Sequence, residues 1–415
     1  MSKKSSKNQK NTKINKKVLL IALASFLIIA SVLLFIIFSP SRTYTVAFYK
    51  VEDVQRHGIT ATIKKIAEEK KFAVEFIQYN SDKSLEEQVP IAKKPALVIT
   101  TSGFAVDEAI DKASFRSAVP ADFIQGMTSS MRSAIKQEDG KIQALPFLSS
   151  HYEVDIDLAE FRNSNTKQIN TWKDVEKFMR EQKRKQDAPM VFAGGNPDDF
   201  LDFAGAFAES LDGAPSYGDA VQILKNNKKN FNPVRTAIQL CDEPDSPLAT
   251  TVKQLKSWYK SGFIHPGVFS FQTNDVEAFA SSRLSSVLFM SFENHRQVAQ
   301  KTISRYTSIY FPSENPANTR VFTGKSYFAV PLTSSEKTRI LLPELLSTSN
   351  QEALSRSTQV APVLAQSRIP DKQADDARYW IAATTAPLAG LSNEVYLTKQ
   401  QKIALAAEIA SRIKN

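Results

Sequence analysis

Apolar and polar positions alternate along the chain in a repeating order. Residues 43–50, TYTVAFYK, follow the period of two expected of a strand, and residues 54–71 place apolar side chains at helical spacing. Residues 72–79 (FAVEFIQY) predict a second strand and residues 84–92 (SLEEQVPIA) a short helix. Residues 96–101 (ALVITT) predict a third strand, running into a hydroxyl-rich loop that ends at Gly103. Such alternation predicts a parallel sheet with right-handed crossovers, and ligands of such sheets sit at the carboxyl ends of the strands. Those ends carry Tyr49 and Thr100, Thr101 and Ser102.

The stretch from Gly140 to Phe178 organises the rest of the chain. Asp139-Gly140 predicts a turn, residues 141–147 and 152–157 are two β-rich runs, and Thr171 opens an amphipathic helix with Trp172 at its first position. Apolar residues carry on past Pro146 across a Ser149-Ser150 break, so the segment predicts a passage between two lobes with the break as a hinge. Residues 189–195 (PMVFAGG) predict another strand, leading through Gly194-Gly195-Asn196 into a helix that starts near Pro197-Asp198-Asp199. A helix over 246–261 closed by Gly262, a helix from Asp275 and a buried strand over 285–292 come next. A Pro-rich loop, the strand VFTGKSYFAVP and a largely helical tail from Ser334 complete the chain.

The start of the chain has a different character. Residues 1–17 are mostly Lys, Ser and Asn, with seven lysines and no acid, and are expected as a disordered cytoplasmic tail. Residues 18–38 carry no charge over 21 positions, about what a helix needs to cross a roughly 30 Å hydrocarbon core. The lysines should stay in the cytoplasm, which places the remainder outside it, in the periplasm or extracellular space. A cleaved signal peptide and an uncleaved anchor both fit this segment. Its length, the poor small-x-small match of Phe38-Ser39-Pro40-Ser41 and the lack of a nearby cysteine to accept a lipid favour a single-pass anchor in the cell membrane.

Length and composition narrow the class. With 415 residues, 42% of them apolar and 23% charged, the chain suits two lobes, each with its own core. Cys241 is the only cysteine, which excludes an internal disulfide and a cysteine-based zinc site. The net charge of +10 sits largely in the first 17 residues, and the dense run Lys183-Arg184-Lys185 reads as a solvated helix end, so no nucleic-acid partner is expected. His57, His151, His265 and His295 show no metal-ligand spacing, and G-x-S-x-G, H-E-x-x-H and G-x-G-x-x-G are absent. Thr323-Gly324-Lys325-Ser326 matches the end of a phosphate-binding loop, but Thr319 stands where that loop needs glycine. No enzyme, metal or cofactor is expected.

A set of motifs in register points further. Gly140-Lys141-x-x-Ala144-Leu145-Pro146-Phe147, then Phe161, then Thr171-Trp172 and Phe178 resemble a signature of the extracellular solute-binding proteins of ABC transporters, in the maltose-binding-like family 1. Leu255-Lys256-x-x-Tyr259-x-x-Gly262-Phe263-Ile264-x-Pro266, the segment from Glu277-Ala278-Phe279 to Met290, the return strand from Gly324 to Val330, and Ser349 to Pro362 are similar to later motifs of the same family. The chain departs from it at Ile156-Asp157-Leu158, where the family has Tyr-Asn-Lys, and at Arg283-Leu284, where a Gly-Lys is expected.

The resemblance implies an α/β, two-lobed periplasmic-binding-protein-like fold of type II, behind the N-terminal transmembrane helix. Residues 43–148 plus 286–329 would form one lobe and 149–285 plus 330–415 the other. It implies capture of a small solute, carbohydrate by default, and partnership with ABC permease subunits. The runner-up is a membrane-anchored sensor or envelope scaffold that uses the same fold without transport. Candidate ligand residues are Tyr49, Thr101 and Ser102 at strand ends, and Tyr152 and Glu153 past the crossing. Asn196 and Asp198 at a helix amino end, which also suit capping, join them. Phe292 and Glu293 after the returning strand, and Lys325 and Tyr327 on the glycine-bearing return, complete the set. Trp172 and Trp258, at helical spacing among apolar neighbours, are assigned to packing.

Overall fold

The computed structural model describes residues 43–89, 94–309, 311–314, 323–369, 375 and 388–415. The chain divides into two units, Met1–Thr43 and Tyr44–Asn415, and the second holds every strand and helix described. The expected tail at 1–17 and membrane segment at 18–38 lie outside the described residues. Among the described residues, no helix is long and apolar enough to cross a membrane.

The strands are β1 (Tyr44–Phe48), β2 (Val74–Gln78), β3 (Leu97–Thr101), β4 (Lys136–Glu138), β5 (Lys141–Asp157), β6 (Met190–Phe192), β7 (Val287–Ser291), β8 (Tyr306–Ile309), β9 (Thr323–Pro331), β10 (Ala361–Pro362) and β11 (Leu388–Ala389). In the first lobe β1 pairs in parallel with β2 and β3, as the alternation predicts, with the helix Asp53–Glu69 crossing between β1 and β2. That helix buries Ile59, Ile63 and Ile66, spaced i, i+4, i+7 on one stripe. β9 then runs antiparallel between β3 and β5, so the sheet is mixed.

β5 joins the two lobes. Its stretch Leu145–His151 pairs with β9, and Tyr152–Ile156 then pairs with β7 while Val154–Asp157 pairs with β8. The sequence predicts two runs with a hydroxyl break, whereas the structure has one strand of 17 residues. Ser149 and Ser150 do not interrupt it, because both sit opposite β9 residues and Ser149 is also opposite Ala361 of β10. A hydroxyl ends a strand only where the backbone lacks ladder partners. The irregularity falls at Pro146/Leu148, where the register shifts beside a proline that has no N–H to give.

The strand partners also allot segments differently from the expected boundaries. β7 and β8 pair with the far half of β5, and β6 pairs with β7, so these strands belong to the second lobe rather than to the first with 286–329. The helices Glu336–Leu345 and Thr348–Thr358 pack in the first-lobe core through Leu341, Leu342, Leu345 and Leu354, not in the second with 330–415. Gly58 meets the second of them so closely that a Cβ there would lie 2.8 Å from Ser357 Oγ. The carboxy-terminal helix Lys399–Lys414 does join the second-lobe core, through Leu405, Ile409 and Ile413. That core holds Trp172 and Trp258, both buried, with the Trp172 ring 4.4 Å from that of Phe207 and its Nε1 donating to Ser210 Oγ at 2.7 Å. Trp172 is set by a capping box: Thr171 Oγ1 accepts from Asp174 N–H, and the Asp174 carboxylate accepts from Thr171 N–H.

Candidate functional site

Where β5 passes from β9 to β7, a cavity of about 150 Å3 opens. One water needs about 10–15 Å3 on this scale, so there is room for on the order of ten. Glu52, Gly324 and Lys325 line it from the first lobe; Asn196, Asp199, Thr273 and Ser291 from the second; Ser150, His151 and Tyr152 from β5; Glu293 and Asn294 from the helix Phe292–Gln297.

Local chain geometry places these groups. Glu52 ends the turn after β1 and precedes the helix Asp53–Glu69. Lys325 stands opposite Ser150 in the β5–β9 ladder and pairs with Glu52 at 2.6 Å. Gly324, opposite His151, lets the two strands come close, since a Cβ there would lie 2.1 Å from Ser150 O. Asn196 caps the helix Pro197–Asp212, its Oδ1 accepting from Asp198 N–H at 3.1 Å, and its Nδ2 donates to Asp199 Oδ2 at 2.9 Å. Thr273 Oγ1 donates to the same oxygen at 3.4 Å. Glu293 is buried, accepting from the Ser150 hydroxyl and, at 3.4 Å, from Tyr327 OH. The Tyr152 ring stacks on Phe289 at 5.3 Å, and its OH donates to Asp202 at 2.7 Å.

The charges depend strongly on their surroundings. Burial pushes the Asp199 carboxyl up to about 7; Lys325 opposes this, while Asp202, Glu52 and Asp198 add to it. Lys325 holds the Glu52 carboxyl below its ordinary value. Burial works against the Lys325 ammonium, but Glu52 outweighs it and holds that ammonium well above the usual lysine range.

Beside the cavity, β5 carries a second polar set. His151, Glu153 and Asp155 alternate on one face and are buried, 6%, 1% and 0% exposed, under His295 and Ser308. His295 Nδ1 lies 2.6 Å from Glu153 and 3.4 Å from Asp155. Burial disfavours the His295 cation, but the two carboxylates overcome it and push the imidazole well above its usual value. Burial opposes ionisation of Glu153, yet the paired His295 brings its carboxyl down to about 2. Glu153, Asp155 and His295 offer ligand atoms within 4.8 Å of one another, the described group with the geometry to hold a metal ion. The 2.6 Å contact is a hydrogen-bond distance, and this geometry describes a buried ion pair.

The sequence-derived candidates separate into groups. Tyr152, Asn196, Glu293 and Lys325 line the cavity. Tyr327 stands behind Glu293, and Ser102 Oγ accepts from Ser326 N–H at 3.1 Å, one layer back. Thr101 is buried in β3 opposite Tyr327. Tyr49 is buried in the first-lobe core, its OH donating to Lys83 O and Glu108, each at 3.1 Å. Glu153 belongs to the His295 cluster, and Asp198 points outward to Lys402 at 2.6 Å. Phe292 packs in the first-lobe core with its ring 5.4 Å from His151. Glu52, Ser150, His151, Asp199, Thr273, Ser291, Asn294 and Gly324 also line the cavity and are not among the sequence-derived candidates. Asp199 carries a sequence signal, as the second of two acids in a helix's first turn; the others come together only through the fold.

No known family pattern matches the sequence, and no curated protein matches it. Solved structures do. The bacterial solute receptor AcbH, with an exclusive substrate preference for β-D-galactopyranose, superposes with a TM-score of 0.67 at 10% identity, over 89% of this chain and 96% of AcbH. The putative binding protein MsmE of Bacillus subtilis, in an open conformation, gives 0.66 at 15% identity, over 89% and 93%. RafE in complex with raffinose gives 0.62 at 14%, over 90% and 98%. At such identities the likeness is one of fold, and the described chain has the two-lobed α/β fold of these solute receptors, with its cavity at the strand that joins the lobes.

Proposed function

We propose that this protein is the extracytoplasmic solute-binding component of an ABC importer, capturing one small solute, of the carbohydrate class, between its lobes. The observation that carries the reading is the polar cavity at the β5 crossing, set in a fold that resembles a receptor with a preference for β-D-galactopyranose and one in complex with raffinose. Tyr152, Asn196, Asp199, Glu293 and Lys325 are its solute-contacting residues. A solute that touches both sides of the cavity binds the closed arrangement better than the open one and shifts the population by that difference. Residues 18–38 hold the protein in the cell membrane as a single span, and permease subunits in the same membrane receive the solute; the charge-free 21-residue run behind seven lysines supports this arrangement.

The test is a thermal-shift screen of the full-length chain in detergent against sugars, oligosaccharides, amino acids and polyamines. A solute at a hundred times its dissociation constant should stabilise the folded protein by about 2.7 kcal/mol. A flat response across the whole panel overturns the proposal.

A further inference from the structure

We propose that the cleft selects a solute carrying a protonated amine, held by the carboxylates of Asp199 and Glu293; this deepens the solute-receptor reading and rests on it. The first ground is the charge of the lining. Three carboxylates, Glu52, Asp199 and Glu293, face the cavity with one ammonium, Lys325. Lys325 is committed to Glu52 at 2.6 Å, and His151 is turned to Glu153 at 3.2 Å. Among the described residues, no lysine or arginine stands within ion-pair distance of Asp199 or Glu293. Lys325 acts on both carboxylates only from beyond ion-pair distance, so closing the lobes over them costs desolvation that a cationic solute offsets and a neutral one does not.

The second ground is the state of Asp199. Its two side-chain hydrogen bonds, from Asn196 and Thr273, both go to Oδ2, and among the described residues none goes to Oδ1 of this cavity-lining side chain. Its carboxyl is pushed up to about 7 by burial and by acidic neighbours, and a nearby ammonium would return it to the ionised form. The third ground excludes the opposite charge. The amino end of the helix Pro197–Asp212 faces the cavity, but Asp198 and Asp199 of its first turn already occupy the favourable position for negative charge. An anionic solute would meet the Asp199 carboxylate first, while Asp198 is turned to Lys402. Stacking offers little alternative: Tyr152 is the one Phe, Tyr or Trp among the described lining residues, and its ring already lies on Phe289 with its OH given to Asp202.

The experiment compares D-glucosamine, N-acetyl-D-glucosamine and D-glucose by calorimetric titration of the full-length chain in detergent at pH 7, with putrescine as a non-sugar amine. The three sugars share a ring, and acetylation removes the charge. The expected result is that glucosamine binds at least tenfold more tightly than either neutral ring, and that Asp199→Asn and Glu293→Gln each erase most of that preference. The wild-type comparison decides the matter even where a variant folds poorly. Equal or tighter binding of the neutral rings overturns this inference and leaves the receptor reading standing. Binding by putrescine without glucosamine keeps the amine and overturns the carbohydrate class. No heat with any of the four, together with a flat thermal-shift panel, overturns both.

Discussion

Replacing Asp199 by asparagine separates the cost of the cleft from its use. A carboxyl whose folded pKa lies above its unfolded value binds its proton more tightly when folded. Its penalty is therefore absent below about pH 3.8 and grows until the pH passes the folded value of about 7. Moving a carboxyl over that interval corresponds to about 4 kcal/mol at 1.36 kcal/mol per pKa unit. Asp199 lines a cavity and is only partly buried, so solvent screens it, and about 2 kcal/mol is the expected share. Asparagine keeps an oxygen to accept from Asn196 and Thr273, and so removes the charge with little change in packing. Asp199→Asn should match the wild type near pH 4 and exceed it by about 2 kcal/mol at pH 8 without solute, while losing affinity for the solute. Urea unfolding followed by circular dichroism at a series of pH values reads the difference as a shift in midpoint at constant slope. A gap that does not widen between pH 4 and pH 8 would refute the claim that the cleft holds a destabilised carboxylate.

Two further outcomes concern the crossing strand. His295→Ala leaves the buried Glu153 carboxylate without its cation and should cost about 3–5 kcal/mol by urea melt. Glu153, with its folded pKa depressed, contributes fully only above about pH 4.5, and His295, with its folded pKa raised, fully only below about pH 6.5; the cost should be largest between those values and fall as pH climbs through the raised histidine pKa. A flat pH profile would remove the ion-pair account. Gly324→Ala drives a Cβ to 2.1 Å from Ser150 O, a backbone atom that cannot swing aside, and should destabilise by about 3 kcal/mol while weakening solute binding at the adjacent Lys325. A change under about 0.5 kcal/mol would show that the β5–β9 ladder opens there without strain.

The local elements are legible in the amino-acid order alone. Period two marks β1 and β2, and a short continuous apolar run marks β3; Thr171 with Asp174 starts one helix, and Asn196-Pro197 starts another. These signals lie in the backbone and in neighbours one turn or one pleat away, so they survive without knowledge of the fold. The ordered motifs also carried the two-lobed class. Which segments share a lobe, and what charge the cleft holds, emerged only once the chain was packed. β5 is continuous because partners from four distant strands take up its hydrogen bonds, and β7 joins the second lobe because its register meets Tyr152–Ile156. Glu52 and Lys325 are 273 residues apart, and Glu153 and His295 are 142 apart. A carboxylate's state depends on burial and on charges within a few ångströms, and in this protein several of those charges come from segments far apart in the sequence.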